Sequence, residues 1–132
     1  MKKTVQALID SRILGRALIV GTVLEIALMV ASHLRPLLQV HYALFGCMMI
    51  AGTAGLLYAR DLARGYIMGA LGGLVIGAAC GIAAVASANV LGDQPERFIP
   101  YGVMICALVG AIGGLFGQYA AWIREFIATL RQ

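Results

Sequence analysis

The chain has 132 residues, 61% of them hydrophobic and 12% charged. A soluble domain carries about a quarter charged residues, so this composition excludes a water-exposed globular surface. The formal net charge of +4 invites a nucleic-acid partner. The basic residues are not clustered as such a patch requires, and their placement reads as a membrane topology signal instead.

Crossing the hydrocarbon core as a helix takes roughly 20 apolar residues. Four blocks meet that length: about Ile13 to Ser32, Leu37 to Tyr58, Tyr66 to Leu91, and Phe98 to Trp122. They predict an all-α membrane protein, an up-down-up-down bundle of four transmembrane helices with short amphipathic ends. Little chain is left over, so residues 1–132 read as a single four-helix domain.

Lys2, Lys3, Arg12 and Arg16 precede the first block, Arg60 and Arg64 separate the second from the third, and Arg124 and Arg131 follow the fourth. Only Arg35 and Arg97 fall in the two remaining loops. Eight basic residues on one face against two on the other is the positive-inside pattern for a bundle with short loops. The expected location is a bacterial-type inner (plasma) membrane, with both termini cytoplasmic and no insertion in the opposite sense. Tyr58, Tyr66 and Trp122 would then mark the cytoplasmic interface, and Tyr42, Phe98 and Tyr101 the outer one, as an aromatic belt requires.

Before the first helix, Val5, Leu8, Ile9 and Ile13 recur at helical spacing among charged residues, which predicts an amphipathic lead-in at the interface. Lys2-Lys3, the apolar run and Val30-Ala31-Ser32 loosely match a cleaved leader. Glu25 within the run and the long polar lead argue against cleavage. Glu25 is the first candidate for chemistry. An ionised carboxylate at bilayer depth costs at least a few kcal/mol, so a glutamate there is by default a functional hypothesis. It shares a helix face with Gly21, Thr22, Met29 and Ser32, which points that strip inward. A titrating carboxyl is what proton-coupled transport needs; the alternative is a protonated acid acting as structural glue between helices.

The turn Ser32-His33-Leu34-Arg35-Pro36 is very short, and proline suits the first turn of the helix that follows. Helices one and two are therefore expected to be adjacent and antiparallel. His41 falls in helix two, about 9 Å outward of the midplane, where pairing with Glu25 is sterically reasonable. His33 lies in the turn and is expected to be solvated. Two histidines without bis-haem spacing leave a haem or quinone subunit as the weakest reading. Cys47, Cys80 and Cys106 each fall near the middle of a different helix. An odd number at that depth is no disulfide framework. Thiolates suit Cu(I), and Met48, Met49 or Met104 could assist, but small apolar cysteine is common in packed interiors. No metal or other cofactor is expected.

The third helix carries the strongest pattern: Gly65, Gly69, Gly73, Gly77 and Gly81 recur every four residues, with Gly72 beside them. Lipid tails are as apolar as leucine, so helices in a bilayer associate through close packing at small residues. The fourth helix offers Gly102, Cys106, Gly110 and Gly114 at the same spacing, with Gly113 and Gly117 alongside. Both strips predict close helix contacts, either within the chain or in a homo-oligomer or larger membrane complex. After helix four, Trp122, Phe126, Ile127 and Leu130 alternate with Arg124, Glu125 and Arg131, predicting a tail resting on the inner leaflet. Gln39, Asn89 and Gln118 lie towards the helix ends, where they line a polar path or satisfy one another. The glycines lack the lysine and strand of a phosphate loop, and no triad, zinc or paired-carboxylate arrangement is visible, so no enzyme activity is expected.

Four short helices with a carboxylate in the first resemble the small multidrug resistance exporters, which would make Glu25 the coupling residue. This chain departs from them in Ile26-Ala27-Leu28, in a third helix without tryptophan and in its strong charge bias. The glycine-rich third helix followed by Gln94-Pro95-Glu96 resembles a rotor-ring subunit of a rotary ATPase. There the loop faces the cytoplasm and the next helix bears an acid, whereas helix four here has none among its apolar residues. Neither layout assigns a family. The sequence ranks a non-enzymatic subunit, assembling through the glycine faces of helices three and four, above a proton- or ion-coupled transporter or channel using Glu25 and His41.

Overall fold

The computed structural model describes residues 11–37, 42–93 and 99–131. Four helices occupy the apolar blocks: α1 (Ser11–Leu34), α2 (Ala43–Leu62), α3 (Tyr66–Val90) and α4 (Ile99–Leu130). Each is long and apolar enough to cross a membrane. At 1.5 Å per residue they measure roughly 30 to 48 Å, against a hydrocarbon thickness of about 30 Å. The architecture is that of an all-α, polytopic membrane protein.

The bundle turns its bulk outward. Ile19, Val23, Ile67, Ile82, Leu108 and Phe116 are exposed, while Ala51, Ala59 and Cys80 are buried completely. That distribution suits a solvent of lipid tails, where large apolar side chains lose nothing by facing out and small ones let backbones meet.

The closest meetings are between α3 and α4. A methyl group added at Gly73 would strike the carbonyl of Gly110, one at Gly77 the carbonyl of Cys106, and one at Gly69 the carbonyl of Gly114. At Gly81 the obstacle is Val103 Cα, 2.9 Å away. Residue numbers rise on one helix as they fall on the other, so α3 and α4 run antiparallel. Helix α4 makes a second backbone contact with α2: Gly113 lies on the Gly52 carbonyl, Gly117 on the Leu56 carbonyl, and Gly55 on the Gly110 carbonyl. Here the numbers rise together, so α2 and α4 run parallel. Helix α1 joins this three-helix core through the groove between α2 and α3, with Gly21 against Ala54 and Cys80 and Leu28 against Gly46.

The glycine strips of α3 and α4 thus meet each other inside one chain. Gly65 belongs to the strip by spacing alone: it has nothing within 4 Å of an added methyl and instead starts α3 with φ 105°. Gly102 touches only the Val85 side chain, at 3.2 Å. Tyr58 is not an interfacial belt residue. It is 2% exposed, and its ring fills the place that a side chain at Gly72 would occupy. The segment after Trp122 is no separate interfacial helix but the continuation of α4, exposed from Arg124 onward. Pro36 and Leu37 are helical, as the proline placement suggests, and α2 is followed from Ala43. His41, Gln39, the lead-in around Val5 to Ile9, and the loop residues Gln94 to Phe98 lie outside the described residues.

Two glycine-to-alanine substitutions separate packing from helix propensity. Gly73→Ala places a methyl on a neighbouring backbone that cannot move aside, and should lower unfolding free energy in detergent by at least about 1–3 kcal/mol. Gly15→Ala meets nothing within 4 Å and should raise it by roughly 0.5–1 kcal/mol.

Candidate functional site

Polar side chains within an apolar bundle need partners, and most find them on their own helix. Thr22 donates its hydroxyl to the Leu18 carbonyl at 2.7 Å, Ser32 to Met29 at 2.9 Å, Thr53 to Met49 at 2.6 Å and Ser87 to Ala83 at 2.7 Å. Such back-bonding satisfies the hydroxyl without help from a second helix. Thr22 and Ser32 therefore share a helix face with Glu25 but make no bond to it.

Glu25 is different. It is 0% exposed, and among the described residues neither carboxyl oxygen has a hydrogen-bond partner. The helical face Gly21, Glu25, Met29, Ser32 is the buried face of α1, set into the groove between α2 and α3. Gly21 makes this possible, because its missing side chain leaves room for the Cys80 sulfur, which an added methyl would approach to 2.6 Å.

Each of the other helices presents a cysteine to the carboxyl: Cys47 from α2, Cys80 from α3 and Cys106 from α4, all buried and all within its electrostatic reach. The Cys47 thiol lies beside the carboxyl without completing a hydrogen bond. One titratable side chain from every helix thus falls in a single layer. Among the described residues, no three His, Cys, Asp or Glu side chains stand in a metal-holding arrangement.

A cavity of about 330 Å³ begins one turn along from Glu25, at Met29, Cys47 and Cys106. It runs towards the end of the bundle bearing Ala43, Ala88 and Tyr101. Its walls are apolar apart from the thiols and the Tyr101 hydroxyl, and all four helices contribute to them.

The remaining polar candidates are structural or peripheral. Gln118 does not line a path. Its side-chain nitrogen donates to the Ala59 carbonyl at 2.6 Å, and its oxygen accepts from the Gly65 N–H at 3.0 Å. It thereby closes the tight connection between α2 and α3, where Ala63 also takes a left-handed conformation (φ 47°) to end the helix. Asn89 is exposed. His33 is exposed, as expected, and also pairs through Nδ1 with Asp93 at 2.9 Å, tying the end of α1 to the turn after α3. Sequence spacing could not find that contact, since the two residues stand 60 apart along the chain. The cysteine layer did leave a signal, in the mid-helix position of each cysteine.

Replacing Gln118 by leucine removes both of its bonds, but the Gly65 N–H lies in an exposed turn where water replaces the amide, and the Ala59 carbonyl keeps the Ala63 N–H. Gln118→Leu should therefore lower stability by no more than about 0.5–1.5 kcal/mol in a detergent unfolding titration. His33→Ala removes a half-exposed pair and should cost less than about 1 kcal/mol in the same measurement.

Comparison with models of protein families, with curated proteins and with solved structures finds no match to this chain.

Proposed function

We propose that this protein is a small proton- or ion-coupled transporter in which Glu25 is the titrating site. The observation that carries this reading is the pair of unpartnered carboxyl oxygens at the centre of the bundle. A structural acid serving as glue would be hydrogen-bonded to a neighbouring helix, because an unsatisfied buried polar group is costly. When ionised, a carboxyl so placed needs its charge neutralised by a proton or a cation, and exchanging one for the other is the elementary step of coupled transport. The cavity that starts one turn from Glu25 supplies an approach from one end, and its apolar walls favour a small apolar or amphipathic solute. His41, which lies outside the described residues, would assist Glu25, as its place in the second apolar block of the sequence suggests.

An accessory subunit assembling through its glycine strips would need those strips to be free. Those of α3 and α4 are occupied by each other and by α2, so an assembly would have to form through the bulky outer faces. In the orientation favoured by the charge bias, both termini are cytoplasmic and the cavity opens towards the outer side.

Solid-supported membrane recordings test the reading without knowledge of the solute. A pH step applied to membranes holding the purified chain should give a charge-displacement current. Glu25→Gln keeps the side-chain volume and should abolish that current while expression and melting temperature stay unchanged. A Glu25→Gln current equal to the original would end the proposal.

A further inference from the structure

At the opposite end of the bundle from the apolar cavity, α1 and α2 part to form a second recess. Its volume is about 430 Å³, and its rim holds Arg12 and Arg16 from α1 with Arg60 and Asp61 from α2. Asp61 accepts from the Arg60 guanidinium at 3.2 Å, and the recess is lined by more arginines than carboxylates. The floor is apolar, formed by Val20, Ala54 and Leu57. The same three residues also line a second groove of about 180 Å³, apolar apart from Thr53, which continues along the α1–α2 seam past Leu24 and Met49 towards the middle of the membrane. Val20, Leu24, Met49 and Leu57 are exposed, so the groove opens sideways to lipid.

We infer that this recess binds the headgroup of an anionic phospholipid, with one acyl chain lying in the groove along the α1–α2 seam. The charge distribution selects the ligand. Several guanidiniums at the level where the helices leave the apolar zone match a phosphate, and arginine forks are suited to its oxygens. Basic pockets between transmembrane helices on the cytoplasmic side are a recognised setting for such headgroups. A free phosphate would satisfy the rim but leave the adjoining groove unused, whereas a phospholipid fills both. The glycine contacts that lock α2, α3 and α4 together leave α1 held mainly by its groove, and a lipid wedged in the seam would join α1 to α2. This inference does not depend on any role of Glu25.

The test is native mass spectrometry of the full chain released from nanodiscs of equimolar phosphatidylglycerol and phosphatidylcholine. The original chain should retain phosphatidylglycerol in preference to phosphatidylcholine. Arg12→Gln/Arg16→Gln should weaken that retention roughly thirtyfold, and Val20→Trp, which fills the groove and keeps every charge, should also weaken it. Arg124→Gln/Arg131→Gln removes the same charge from the end of α4 and should leave retention intact. The inference is overturned if the original chain shows no preference between the two lipids, if the α4 pair lowers retention as much as the α1 pair, or if soluble glycerol phosphate displaces the lipid as well as phosphatidylglycerol itself does.

Discussion

The whole structure depends on bare backbone meeting bare backbone along α4. In a bilayer no hydrophobic effect presses helices together, so contact must come from dispersion and close fit. Gly110 sits where this is most demanding, against the Gly73 carbonyl on one side and in contact with Gly55 on the other. Helix α4 therefore has two small-residue faces rather than one. Cys106, Gly110 and Gly114 serve α3, while Gly113 and Gly117 serve α2. Removing side chains from both seams draws three helices together and leaves the fourth to close over them.

That arrangement explains how a carboxyl comes to be buried. With α2 and α3 in direct contact beside α4, the groove between them is narrow, and α1 meets it with Gly21 against Ala54 and Cys80. Glu25 follows one turn later and is carried into the layer of three cysteines. Thiols are small and weakly polar, so they fill the layer without satisfying the acid. The hydroxyls of Thr22, Ser32, Thr53 and Ser87 do not help, since each has turned back onto its own helix. The fold thus isolates one polar group while pairing its neighbours, and the proposed transport role rests on that contrast.

Much of this was legible in the residues. Block length predicted the four helices, and the shared face of Gly21, Glu25, Met29 and Ser32 predicted which side of α1 turns inward, because 3.6-residue periodicity fixes both. The glycine spacing of α3 and α4 predicted close approach but could not choose between a partner in the same chain and one outside it; that choice depends on register, which loops and the α2 contacts set. The part played by Gly52 and Gly55 went unread because they do not repeat every four residues. Tyr58 looked interfacial by type and position, yet Gly72 on the facing helix opens a slot for its ring. Gln118 looked like a path-lining residue, and its use as a clamp on Ala59 and Gly65 appears only when the α2–α3 turn is seen against α4. In each case a local pattern named the residue and a distant one decided its use.

The most direct test of this arrangement is the Gly110→Leu variant, studied by light scattering and by thermal unfolding in the same detergent. If α4 closes against α2 and α3 of its own chain, the variant should lose its cooperative unfolding transition at every protein concentration. A variant that keeps its transition intact while its particle mass falls would place the glycine seam between chains and contradict the account.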